Sequence, residues 1–140
     1  MGPSHYIAVH TASVLVVDDD DDVRTTCAEV LRAAGYPVEE AENGVTALER
    51  IRSTDIGAIF LDVLMPRLGG LELLDRLDVP PPVALLTDHN YDAEVIARRS
   101  KVAVFLQKPV PPTVLLAAAA RMFERSSVPP GRAPLGAATA

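Results

Sequence analysis

Short apolar runs alternate with stretches of helical period along most of this chain. "SVLVVD" (13–18) is mostly β-branched and apolar, the pattern of a strand buried on both faces. Val23, Cys27, Val30, Leu31 and Ala34 then recur at helical spacing, which predicts a helix closed at its C-terminus by Gly35. "YPVEEA" (36–41) predicts a weak strand, and "NGVTALERIRS" (43–53) a turn leading into a helix with Val45, Leu48 and Ile51 on one face. "GAIFLDV" (57–63) is a second buried strand and "GGLELLDRL" (69–77) a helix, stopped by "VPPP", which no helix interior tolerates. The segments 83–87, 92–100, 102–107 and 112–125 continue as strand, helix, strand and helix.

Strand followed by helix, five times over, predicts an α/β fold: a doubly wound parallel sheet with helices on both faces and right-handed crossovers. Residues 1–12 carry no clear period and read as an N-terminal extension. Residues 126–140, "SSVPPGRAPLGAATA", hold Pro, Gly, Ala and Ser with a single charge, too little to bury, and read as a flexible tail or linker. The expected domain therefore covers 13–125.

Composition narrows the function classes. With 140 residues, 49% of them hydrophobic, the chain can build one real core. A formal charge of -6 argues against nucleic acid as a partner, because phosphate-backbone binding rests on clustered Lys and Arg. The same acidity suits a collector of divalent cations. Cys27 is the only cysteine, so no internal disulfide forms, and it lies on the apolar stripe as inert core. His5, His10 and His89 make no pair at metal-ligand spacing. No apolar run has the length of a membrane span, and the N-terminus lacks a signal-peptide pattern, so a cytoplasmic location is expected.

In open parallel sheets, functional residues gather past the carboxyl ends of the strands. Strand one ends at Asp18 and Asp19, strand three at Asp62, strand four at Thr87 and strand five at Lys108. If strands one and three are neighbours, three carboxylates converge. At about 4 Å each pair repels by roughly 4 kcal/mol at an effective dielectric near 20, so the cluster calls for a cation. An all-oxygen, open site suits Mg²⁺, and a carboxylate beside Mg²⁺ is able to attack a phosphoryl group and form an acyl phosphate. Asp20, Asp21 and Asp22 fit the start of the next helix, where acids meet the positive end of its dipole. A calcium loop is the competing reading, since Asp18, Asp20, Asp22 and Glu29 match positions 1, 3, 5 and 12 of an EF-hand. Against it, position 6 is Val23 where that loop needs Gly, and a buried strand precedes it. A dinucleotide site fails because no Gly-rich loop follows the first strand.

Four stretches, "VLVVDDD", "FLDVLMPRLGG", "VALLT" and "FLQKP", stand in an order and spacing that resembles the receiver domain of two-component response regulators, from about Ser13 to Arg125. The resemblance implies a chemotaxis-regulator-like, flavodoxin-like sandwich with strand order 2-1-3-4-5. It further implies that Asp62 is the phosphoacceptor, Asp19 the direct Mg²⁺ ligand and Asp18 a ligand acting largely through water. Asp62 and the backbone carbonyl of Leu64 would add to the metal shell. Thr87 and Lys108 match the residues that hold phosphoryl oxygens, Phe105 the switch aromatic, and Pro109 the proline that follows the lysine in a cis bond. Implied partners are a sensor histidine kinase or a phosphotransfer protein. A homodimer or an output partner would read the surface of the fourth and fifth helices and the strand between them. Such a domain is a switch with weak self-phosphorylation and self-dephosphorylation, not a dedicated enzyme.

Departures from the pattern define the alternatives. Asp88 follows Thr87 where the family usually has a small residue, and adds negative charge at the mouth of the site. Leu64, two residues after Asp62, would shield an acyl phosphate from water, and His89 is a second candidate for tuning its lifetime. Leu64 also speaks against an aspartate-nucleophile phosphatase, which needs a second acid there. No glycine precedes the fifth strand, so the helix before it is expected to end unusually. The rival reading is a degenerate receiver, a docking or dimerisation module that works unphosphorylated. In the last helix, "VLLAAAA" (114–120) is apolar on all sides and predicts an exposed small-residue patch.

Overall fold

The computed structural model describes residues 12–88 and 93–126. Most of residues 1–12, the segment after Ser126 and His89 lie outside the described residues. Five parallel strands form one sheet in the order β2-β1-β3-β4-β5. They are β1 (Ser13–Val17), β2 (Val38–Ala41), β3 (Ile56–Asp62), β4 (Val83–Thr87) and β5 (Val104–Gln107). The helices are α1 (Asp21–Ala33), α2 (Gly44–Ser53), α3 (Gly70–Asp75), α4 (Ala93–Ala97) and α5 (Pro112–Ser126).

Two apolar layers hold these elements together, which is why the strands read as continuous hydrophobic runs. On one face Val14, Val16, Phe60 and Leu86 pack with Leu31 of α1 and Leu115, Ala119 and Met122 of α5. On the other, Leu15, Val17, Ile59, Leu61 and Leu85 pack with Ala47 of α2, Leu73 and Leu74 of α3 and Val95 of α4. Alternate residues of one strand thus serve opposite layers, as the period-2 pleat requires.

The helix ends explain where each element starts. Asp20 caps α1, its Oδ1 accepting from the backbone N–H groups of Asp22 (3.0 Å) and Val23 (3.1 Å), while Asp21 and Asp22 occupy the first turn. Gly35, with φ at +100°, takes the left-handed conformation that ends the helix. Asn43 caps α2 through its contact with the Thr46 N–H (2.9 Å), and Glu72 Oε1 accepts from the Gly69 N–H (3.0 Å) at the start of α3.

Several boundaries differ from the sequence expectation. β1 stops at Val17, leaving Asp18 just beyond it, and β5 begins at Val104, not 102. Ala34 is exposed because α1 ends at Ala33 and leaves it at the C-cap, and Val45 is exposed; Ala28 and Ala47 are core, small residues that let α1 and α2 lie close to the sheet. The expected helix 92–100 is five residues of α4 followed by a 3₁₀ turn at Arg99–Lys101. Its end is recruited by α3: Lys101 Nζ donates to the Leu74 and Leu77 carbonyls (3.0 and 2.9 Å), and Arg98 forks onto Asp75 (2.9 and 2.8 Å). In α5, Leu115, Ala118 and Ala119 are core, while Val114, Ala117 and Ala120 are exposed. The exposed Val114, Ala117 and Ala120, at i, i+3 and i+6, leave α5 the small-residue apolar strip that its composition predicts. Among the described residues, no helix is long and apolar enough to cross a membrane.

Candidate phosphoryl and metal site

Placing β1 beside β3 brings their carboxyl ends together. Val17 pairs with Leu61, so Asp18 and Asp62 emerge side by side. Leu86 of β4 pairs with Asp62, Thr87 with Gln107, and the Lys108 N–H donates to the Thr87 carbonyl (2.9 Å). Four strand ends therefore meet on one edge.

Among the described residues, Asp18, Asp19 and Asp62 form a group whose carboxylate oxygens lie within 4.8 Å of one another. Asp18 and Asp62 are buried and Asp19 is exposed. The ammonium of Lys108 stands 2.9 Å from Asp18 Oδ2 and 3.1 Å from Asp62 Oδ1. The Asp18 contact is an ion pair at a buried oxygen that has no other hydrogen-bond partner. The remaining Asp18 groups are committed: its N–H donates to the Ala41 carbonyl (3.1 Å) and its Oδ1 accepts from the Asp20 N–H (2.9 Å). An all-oxygen donor set of three converging carboxylates, answered by a single ammonium, fits a hard divalent cation such as Mg²⁺. The calcium reading does not fit, because Asp20 turns its carboxylate back to cap α1.

Burial, reinforced by the Asp18 charge, pushes the Asp62 carboxyl up to about 6. Burial alone would lower the Lys108 pKa, but Asp18 and Asp62 raise it, so the ammonium stays charged. A pH signature follows. Between about 4 and 6 Asp62 is protonated in the metal-free folded protein and ionised in the unfolded chain. The folded state then binds more protons, and stability falls as pH rises through that window. The move from the ordinary 3.8 to about 6 corresponds to roughly 2–3 kcal/mol. Melting curves from pH 4 to 7.5 in chelator should show this loss in wild type and not in Asp62→Asn, and Mg²⁺ should restore it. Parallel curves for the two proteins would contradict the account.

The other expected site residues lie on β4, β5 and the segments that follow β3, β4 and β5. Thr87 is buried at the end of β4, and Asp88 is exposed directly after it. Leu64 lies in the β3–α3 loop with its side chain exposed (68%). Phe105 is half-buried in β5, against the layer that includes α2, α3 and α4. The Lys108–Pro109 peptide bond is cis. Burial, reinforced by the Asp18 charge, pushes the thiol of the half-buried Cys27 up, where it packs against the layer of α1 and α5.

Three contributors escaped the sequence reading. Arg24 bonds the Asp18 carbonyl from inside the aspartate-rich stretch. At Gly70 a Cβ would overlap the Asp62 carbonyl oxygen, so only glycine lets α3 begin against the end of β3. At Gly44 a Cβ would overlap the Leu68 carbonyl oxygen, which also accepts the Gly44 N–H (2.9 Å). The paired glycines of "LGG" were the visible signal for the second of these three.

Residues 14–120 match the family model described as the response regulator receiver domain. The chain is 38% identical over 118 residues to the response regulator MprA of Mycobacterium sp. (strain KMS), an alignment covering 81% of this chain and 51% of that protein. The chain spans about half the length of the curated relatives it matches. Among solved structures, the receiver domain of NtrX from Brucella abortus aligns with a TM-score of 0.74 at 30% identity, covering 81% of this chain and 100% of that one. A CheY-like receiver domain protein from Methanospirillum hungatei JF-1 aligns with a TM-score of 0.77 at 22% identity, over 83% and 96% of the two chains, a likeness of fold.

Proposed function

Because this chain belongs to the response regulator receiver domain family of two-component systems, we propose that it accepts a phosphoryl group onto Asp62 from a histidine kinase or a phosphotransfer protein in the cytoplasm. The receiver unit on this reading runs over 13–125, with 1–12 as an extension and 126–140 as a tail or linker. What supports it above all is the convergence of the Asp18, Asp19 and Asp62 carboxylates within 4.8 Å, with Lys108 against two of them.

An Asp62 carboxylate oxygen attacks phosphorus, the P–O bond forms, and the P–N bond of the donor phosphohistidine breaks, its electron pair staying on that ring nitrogen while the proton already on the other nitrogen makes the leaving group a neutral imidazole. Asp18, Asp19, Asp62 and the Leu64 carbonyl would hold Mg²⁺, which when bound neutralises charge on the phosphoryl oxygens. Lys108 exchanges its Asp62 contact for a phosphoryl oxygen, and the Thr87 hydroxyl donates to another. The added charge draws the end of β4 inward, Phe105 turns, and the α4-β5-α5 surface changes for an output partner or a second copy. Asp88 at the mouth opposes small anionic donors, and His89 lies near enough in sequence to affect release.

Beryllofluoride, an inert phosphoryl mimic, tests the switch. Added with Mg²⁺, it should shift the backbone amide resonances of Thr87, Phe105 and Lys108 in wild type and leave Asp62→Asn unchanged. An unresponsive wild type that still binds Mg²⁺ would leave the docking-module reading. A further expectation concerns Leu64, an exposed apolar residue two positions after Asp62 in the β3–α3 loop: if it shields the acyl phosphate, Leu64→Asn should shorten the phosphoryl lifetime several-fold by admitting water, on the order of 1 kcal/mol in barrier. An unchanged half-life would remove that role.

A further inference from the structure

We propose that Arg24 is a positioning residue for the cation-ligand pair Asp18–Asp19, acting through the peptide bond that joins them. The proposal rests on the phosphoacceptor reading above and adds a residue to it. Arg24 follows five consecutive aspartates, where an arginine ordinarily serves as a solvated counter-charge. Its side chain is nonetheless only 13% exposed, and each nitrogen of its fork is engaged on a different element. Nη1 donates to the Asp18 carbonyl (2.9 Å), Nε to Glu40 Oε1 on β2 (3.3 Å) and Nη2 to Asp21 Oδ1 on α1 (2.7 Å). Glu40 is itself braced by Arg32 Nη1 on its other oxygen (3.1 Å).

The Asp18 carbonyl and the Asp19 N–H share one rigid peptide plane. Anchoring that carbonyl fixes the plane, and with it the direction in which the chain leaves the buried Asp18 for the exposed Asp19. The Asp18 N–H and Oδ1 are held by Ala41 and Asp20, so Arg24 supplies the third restraint on the ligand-bearing turn. Lysine keeps the charge but concentrates its donors at one point, and cannot span the carbonyl, Glu40 and Asp21 together.

Charge and positioning predict opposite signs. A guanidinium beside a cation site repels Mg²⁺, so on electrostatics alone its removal tightens binding; as a positioning group, its removal weakens binding. The experiment is an amide-detected NMR titration of the intact chain with Mg²⁺, together with melting curves in chelator. Arg24→Ala should weaken Mg²⁺ affinity on the order of tenfold, the usual cost of losing an outer-shell partner. Arg24→Lys, with the charge kept and the fork lost, should weaken it several-fold, and it carries the test if the alanine variant fails to fold. Affinity equal to or tighter than wild type in Arg24→Lys overturns the proposal, whatever happens to the melting temperature. A wild type that binds no Mg²⁺ overturns the phosphoacceptor reading as well.

Discussion

Asp62→Asn should take up no phosphoryl group under conditions that label the wild-type protein, and in metal-free buffer at pH 7.5 it should melt at a higher temperature. Both outcomes have one cause. Asp62 sits buried beside Asp18, and its ionised form is disfavoured enough to move its pKa to about 6. An amide of the same shape removes the nucleophile and the like-charge repulsion together. The stabilisation should be about 2 kcal/mol, from the size of the pKa shift, or roughly 10 °C in a domain of this length. Lys108 loses one carboxylate contact but keeps Asp18 at 2.9 Å. Mg²⁺ should then raise the melting temperature of wild type far more than that of the variant. Calorimetry or circular dichroism reads the stability and intact mass reads the uptake. A variant less stable than wild type in chelator would show that the Lys108 pair outweighs the repulsion.

Gly70→Ala should be among the most damaging single-methyl changes in the chain. Its Cβ would overlap the Asp62 carbonyl oxygen and come within 3.0 Å of Val63 Cα. Both obstacles are backbone, so no rotamer change relieves them. α3 would have to withdraw from the end of β3, breaking the bond from the Gly70 N–H to the Val63 carbonyl (3.1 Å). Overpacking of this kind costs about 3 kcal/mol, a fall on the order of 10 °C in melting temperature. Because the displaced atoms belong to Asp62 and its neighbour, Mg²⁺ affinity should fall in the fraction that remains folded. A melting temperature within about 2 °C of wild type would mean that the strand end yields without strain.

How much of this was legible beforehand depended on whether a residue's role is set locally or by what folds against it. Asp18, Asp19, Asp62, Thr87 and Lys108 stand at strand ends, and in a parallel sheet that position alone directs them to one edge. The caps at Asp20 and Asn43 were equally local. Ala47 is less visible than Val45, because hydrophobic periodicity ranks residues by size, whereas helices lying close on a sheet favour small ones; Ala34 continues the α1 stripe from Leu31 but falls at the C-cap, past the last helical residue. Arg24 was invisible for a different reason: its partners Glu40 and the Asp18 carbonyl are joined only by the β1–β2 pairing. The shortened α4 likewise depends on Asp75 and on the Leu74 and Leu77 carbonyls, which lie 23 or more positions away along the chain. Gly70 announced itself as a glycine, but the atom it must clear belongs to the preceding strand.

The most direct test of the account is the intact mass of the wild-type chain after incubation with acetyl phosphate, with and without Mg²⁺, followed by borohydride reduction to mark the acylated residue. The account predicts a gain of one phosphoryl group that requires Mg²⁺ and maps to Asp62. A gain independent of Mg²⁺, or one mapping to another residue, would contradict it; so would no gain in folded protein that binds Mg²⁺ and is offered a phosphohistidine donor as well.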